Sequence, residues 1–142
     1  MAERINWYGN RVFTLATETN VKAMHTAALL VEVDVKKNFT LQGQGRQYGK
    51  HRASRPGEPP AIDLGILRAS IMSEVEEAGM NVEGRVGPDV EQIAAKAPVG
   101  TNVEYGYYLE VGTSKMAPRP YLVPALRRTR QKVVKIFKNA NR

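Results

Sequence analysis

Met72-Ser73-Glu74-Val75-Glu76-Glu77, then Ala78-Gly79-Met80-Asn81, then Val82-Glu83-Gly84-Arg85-Val86 form the stretch on which the fold turns. Its two flanks alternate in the period-two manner of half-buried strands, and the middle carries the Gly and Asn of a tight turn. Residues 72–86 therefore predict an antiparallel hairpin, with Gly87-Pro88 as a second turn just beyond it.

Upstream, the chain from Asn10 to Asn38 contains no Pro. Met24, Ala27, Ala28, Val31 and Val35 recur at spacings of three and four, and Val12, Phe13 and Ala16 extend the stripe, so 10–38 predicts a long amphipathic helix. Val31, Val33 and Val35 also alternate at period two, but the longer stripe favours helix. Asp63 is positioned to cap a short helix from Leu64 to Ser70. Val90 to Val99 reads as a third strand or a short helix, and Pro98 favours the strand because it suits a strand end better than a helix interior. Tyr105, Tyr108 and Leu109 share one face of about two helical turns that Gly112 would stop. From 121 to 138, Leu122, Leu126, Thr129, Val133, Ile136 and Phe137 form an apolar stripe. Pro124 is tolerated in the first turn, and the opposite face holds Arg127, Arg128, Arg130, Lys132, Lys135 and Lys138. The expectation is one α+β domain over 1–142. Its long N-terminal helix and its C-terminal helix pack on a small antiparallel sheet, with short helices and strands filling 63–112.

Residues 40–62 are different. Gly43, Gly45, Gly49, Gly57, Pro56, Pro59 and Pro60 accompany Arg46, Lys50, His51, Arg52 and Arg55, with almost no apolar side chain. Such a Gly/Pro-rich loop builds no packed element by itself. It predicts a flexible basic arm or flap that orders against a partner, and the alternative is a mobile linker.

The chain has 142 residues, 21 Lys+Arg, 14 Asp+Glu and no Cys. Lack of Cys excludes disulfides, thiolate metal sites and a thiol nucleophile. No apolar run suits a signal peptide or a membrane span, which predicts a soluble, unprocessed protein. The net charge of +7 is sorted along the chain: +4 over 1–62, −6 over 63–112 and +9 over 113–142. An acidic middle and a purely basic end can attract each other, within a subunit or between neighbours.

Catalytic chemistry finds little support. His25 lies within the first helix, and His51 stands between Lys50 and Arg52, where a metal site is disfavoured. Glu74 and Glu76 share a strand face that reads as solvated. Gly45 to His51 has the wrong spacing for a phosphate loop and no Ser or Thr after its Lys. Asn38-Phe39-Thr40 matches a glycosylation acceptor but follows no secretory signal. No catalytic, cofactor or metal residue is assigned. The basic face of the last helix has three readings: contact with DNA, a solvated surface, or docking on a neighbour's acidic segment.

Three ordered segments resemble a known family. They are Arg55-Pro56-Gly57-Glu58-Pro59-Pro60 with Asp63 to Ile71, Tyr105-Gly106-Tyr107-Tyr108-Leu109-Glu110-Val111-Gly112-Thr113, and Met116-Ala117-Pro118-Arg119-Pro120-Tyr121-Leu122-Val123-Pro124-Ala125-Leu126. They look like the signatures of the "gene product ten"-like tail-completion, or head-to-tail joining, proteins of long-tailed bacteriophages (siphophages). The departures are Gly106 where Ala is usual, Asp63 where Thr is frequent and Tyr121 where Phe is common. The resemblance implies a non-enzymatic virion protein of the neck or tail, made in the host cytoplasm. It implies a ring, commonly hexameric, through which genome DNA passes, with a head-completion or portal adaptor and a tail tube or tail terminator as neighbours. No cofactor and no membrane are implied. On this basis Gly112 and Thr113 end the short helix, and Arg119, Pro120 and Pro124 fix the turn into the last one. Tyr105, Tyr108 and Leu109 supply core or interface bulk. Arg46, Lys50, Arg52, Arg55, Arg119, Arg127, Arg128, Arg130, Glu104 and Glu110 are the expected subunit or partner contacts. The alternative function is a basic DNA-binding accessory protein.

Overall fold

The computed structural model describes residues 3–7, 14–39, 43–79 and 81–142. It is an α+β fold: among the described residues, five helices accompany two small antiparallel sheets. The hairpin forms as β2, Ile71–Ala78, and β3, Asn81–Pro88, in a register that pairs Ile71 with Pro88 and Ala78 with Asn81. A strand that sequence patterning missed, β1 (Glu3–Trp7), pairs with the other edge of β3, so β3 is central. Gly87-Pro88 is no separate turn but the end of β3, where the missing N–H of Pro is tolerated.

Helix α1, Thr14–Lys37, packs on β2 and β3. Met24, Ala27, Ala28, Val31 and Val35 are at most 2% exposed, whereas Val33 is 41% exposed, which a strand placing 31, 33 and 35 on one face would not allow. The expected helix start, Asn10 to Phe13, lies outside the described residues. Gly84 on β3 faces this stripe: a Cβ there would meet Met24 Sδ at 2.7 Å and Ala28 Cβ at 3.6 Å. Ser73 Oγ on β2 donates to Glu32 Oε2 at 2.8 Å, pinning the same contact at its polar margin.

Helix α5, Leu122–Ala140, packs on α1 and makes few contacts with the strands. Its buried stripe is Leu122, Ala125, Thr129 and Val133. Two polar links fix it along α1. Arg128 reaches Asp34 Oδ2 with Nη2 at 2.7 Å and Nε at 2.9 Å, and Asn141 Nδ2 donates to Asn20 Oδ1 at 3.1 Å.

Three shorter helices complete the layer. Helix α2 spans Ile66–Ser70 and starts after Gly65 at φ 76°, so Asp63 does not cap it as expected. Val90–Lys96 is helix α3, not a third strand, because Asp89 Oδ1 accepts the Glu91 N–H at 2.9 Å as a true N-cap. Pro98 stands just past the Ala97 C-cap, where a helix must already have ended. Helix α4 is Tyr105–Val111, stopped by Gly112 at φ 78°.

The Gly/Pro-rich segment has more form than its composition predicts. Gln47–Tyr48 and His51–Arg52, β4 and β5 in our numbering, pair as a small hairpin around Gly49. The base of the hairpin is tight enough that a Cβ on Gly43 would lie 2.2 Å from the Ser54 Cα.

Candidate functional site

The three segments singled out in the sequence, the first more than thirty residues ahead of the other two, converge on one junction. The Gly57 N–H donates to the Pro118 carbonyl at 3.1 Å, and the Arg119 N–H donates to the Leu109 carbonyl at 2.6 Å. Arg119 Nε donates to the carbonyl of Ser54, itself buried, at 3.0 Å, and Nη1 to the Ala117 carbonyl at 3.3 Å. Arg119 thus joins the arm to the loop ahead of α5, spending its guanidinium inside the subunit. Thr113 accepts the Lys115 N–H through Oγ1 at 3.2 Å and closes a short bridge to Met116.

Glu110, expected at an interface, is also used internally. Its Oε2 accepts the N–H of Tyr121 at 2.7 Å and of Leu122 at 2.9 Å, while Oε1 accepts that of Val123 at 2.9 Å. The next residue, Pro124, has no N–H to satisfy. The first four N–H positions of a helix have no intrahelical partner. Here one carboxylate and one proline account for all of them, and the negative charge sits at the positive end of the helix dipole.

Tyr121, 2% exposed, stacks edge-to-face on Phe39 with ring centroids 5.4 Å apart, and its hydroxyl donates to the Gly106 carbonyl at 2.8 Å. Burial, and then the nearby Glu110 charge, push its pKa well above the ordinary tyrosine range, so the hydroxyl remains a donor. Burial, and then the Asp63 charge, raise Tyr105 as well. Because unfolded Tyr ionises near pH 10, the stabilisation is complete below that value. It is lost as pH rises toward the higher folded value, at up to ~1.4 kcal/mol per pH unit for Tyr121. Urea midpoints between pH 8 and 11.5 are expected to fall above pH 10, and Tyr121→Phe to flatten the fall. An unchanged fall in that variant assigns the effect to another group.

Tyr105 and Leu109 line an apolar groove of about 350 Å³ that also includes Phe39, Ile62, Leu67 and Pro98. Tyr108 instead lies beside Tyr107, with ring centroids 5.6 Å apart, and its hydroxyl is 3.4 Å from Glu104 Oε2. Glu104 is exposed, and Pro120 and Pro124 are half-buried on either side of the α5 start.

The basic arm residues are exposed and mostly engaged with the arm itself. Arg46 stacks over Tyr48 at 5.3 Å, Arg52 Nε donates to Gln47 Oε1 at 3.1 Å, and Arg55 Nε donates to the Gln44 carbonyl at 2.8 Å. Lys50 occupies the hairpin turn. Glu58, which sequence reasoning passed over, closes the arm: its Oε2 accepts the N–H of Arg55 at 2.6 Å and of Gln44 at 3.3 Å. Those N–H groups, Arg55 first, hold its pKa below the usual carboxylate value.

On α5 the cations divide. Arg128 is taken by Asp34. Arg127, Arg130, Lys132, Lys135 and Lys138 are exposed, with no carboxylate within 4.0 Å among the described residues. The described residues contain no group of three or more His, Cys, Asp or Glu able to hold a metal ion. None of their helices is long and apolar enough to cross a membrane. No family model, curated protein or solved structure matches the chain.

Proposed function

We propose that the chain is a structural subunit of a tailed-bacteriophage virion. In this reading it is a tail-completion or head-to-tail connector protein of the neck that closes with copies of itself into a ring around the DNA channel. The ring joins the tail to the capsid connector, so that a portal-side adaptor and the tail tube or terminator are its neighbours. The observation that carries this reading is the junction. The segments that resemble the joining-protein signatures spend their polar groups on one another, through Arg119, Glu110, Gly57 and Tyr121. That is a scaffold's use of such residues, holding an arm and a helix at fixed angles.

A DNA-binding accessory protein is the second reading, favoured by the exposed cations along α5 that meet no carboxylate within 4.0 Å among the described residues. Mass measurement at low and physiological salt, with and without duplex DNA, separates the two. A ring subunit gives discrete oligomers without DNA. A DNA binder stays monomeric and loses affinity with salt at a log–log slope near the number of phosphates it neutralises.

A further inference from the structure

On β2 and β3 the face of the sheet turned away from α1 has one basic side chain among the described residues, and it is committed; the register places Arg4 of β1 on the same face, opposite it. Arg85 Nη1 lies 3.1 Å from Glu76 and Nη2 lies 3.1 Å from Glu83. Glu74, on the same face of β2, has no cation within 4.0 Å among the described residues. At the α3 end this face sinks into a groove of about 380 Å³ with Met72, Pro88, Val90 and Tyr107 in its walls, and with Glu74, Asp89 and Glu104 outnumbering the one lining cation, Arg85. Met72 and Val90 are 43% and 39% exposed, whereas Ile71 and Ile93 on the same strand and helix are buried. Asp89 serves its own helix cap, and Glu104 meets only the Tyr108 hydroxyl, so neither has a basic partner among the described residues.

An apolar wall edged by carboxylates fits Arg and Lys side chains, whose stems pack on apolar surface while their heads stay at a polar rim. The chain offers such side chains on the outward face of α5, where Arg127 and Arg130, three residues apart, point the same way. Within one subunit they do not pair with the groove: α5 packs on α1, α1 packs on β2 and β3, and the groove opens on the face of the sheet turned away from α1.

We infer that the groove between β2, α3 and α4 receives the basic face of α5 from a second copy of the chain, with Arg127 and Arg130 as its anchors. The two patches differ, so the contact is head-to-tail, the kind that generates a ring when the rotation closes. The complementary charges set register and speed encounter. This inference rests on the ring reading and names its interface.

The test uses the full chain in two charge-reversed forms, Arg127→Glu with Arg130→Glu, and Glu74→Arg with Glu104→Arg. Oligomer mass is measured at low and physiological salt, with thermal midpoints confirming that each folds. Each form alone is expected to associate at least ~100-fold more weakly than the unsubstituted protein, the scale of losing close interfacial charge pairs. Mixed in equal amounts they regain oligomers, because each supplies the patch the other lacks. Should Glu74→Arg with Glu104→Arg not fold, Glu74→Gln with Glu104→Gln serves, with association weakened about tenfold. If both forms assemble as the unsubstituted protein does, the interface lies elsewhere and the ring reading stands. A protein monomeric at every salt whose DNA affinity falls only in the arginine variant overturns both.

Discussion

Replacing Glu110 with Ala is expected to cost ~2–3 kcal/mol of folding stability, although the residue carries a charge and lies in a helix of only seven residues. The carboxylate accepts three N–H groups at the start of α5, at 2.7, 2.9 and 2.9 Å. Loss of an ordinary helix cap costs about 0.5–2 kcal/mol, and an anion at a helix N-terminus adds about 0.3–1 kcal/mol. Hydrogen bonds to a charged acceptor are worth about 1.5–3 kcal/mol each when the donors are left without a substitute. Water can reach this half-buried end, so the total stays well below three such bonds. For a chain of this size the loss is about 5–10 °C in the unfolding midpoint. Glu110→Gln keeps an amide oxygen for one or two of the donors and should lose about half as much. Urea titration of both variants is the check. A Glu110→Ala protein with an unchanged midpoint but failed assembly would return the residue to the subunit interface, where the sorting of charge along the chain first placed it.

The use of Glu110 inside the subunit shows what the sequence could and could not carry. Periodicity is local, so it found α1, the β2–β3 hairpin, α4 and α5, each long or regular enough to show a face. It missed β1, because the five residues of Glu3–Trp7 carry too short a pattern to stand apart from a loop. It misread Val90–Lys96 because the deciding event is one hydrogen bond from Asp89, and a capping Asp and a turn Asp look alike in one dimension. Charge sorting grouped Glu110 with Glu104 by segment. In space one faces a helix terminus and the other solvent, and only the fold brings residue 110 to residues 121–123. Arg128 and Arg127 are likewise adjacent in sequence, yet Asp34 on α1 claims the first and not the second. The signature residues were legible as a set, but the reason for the set, a single junction tying the arm, α4 and α5 together, needed three dimensions.

The same junction couples Gly106 and Tyr121. The two touch: the Tyr121 hydroxyl donates to the Gly106 carbonyl at 2.8 Å. A Cβ on Gly106 would lie 2.9 Å from that hydroxyl oxygen, 2.9 Å from Leu67 Cδ1 and 3.3 Å from Pro88 Cγ. Gly106→Ala is therefore expected to destabilise by ~2 kcal/mol: an overpacking cost of up to about 3 kcal/mol, offset by about 1 kcal/mol from the better helix former. Tyr121→Phe alone should lose ~1 kcal/mol, the net worth of one buried hydrogen bond. Together the substitutions relieve each other, because the methyl group enters space the hydroxyl has left and Leu67 meets it only with a movable terminal methyl. The double variant should lie within ~1 kcal/mol of the parent, a coupling of about 2 kcal/mol that only residues in direct contact produce. Denaturant midpoints for the four proteins decide the matter. If the two losses simply add, the hydroxyl is not what excludes a side chain at 106.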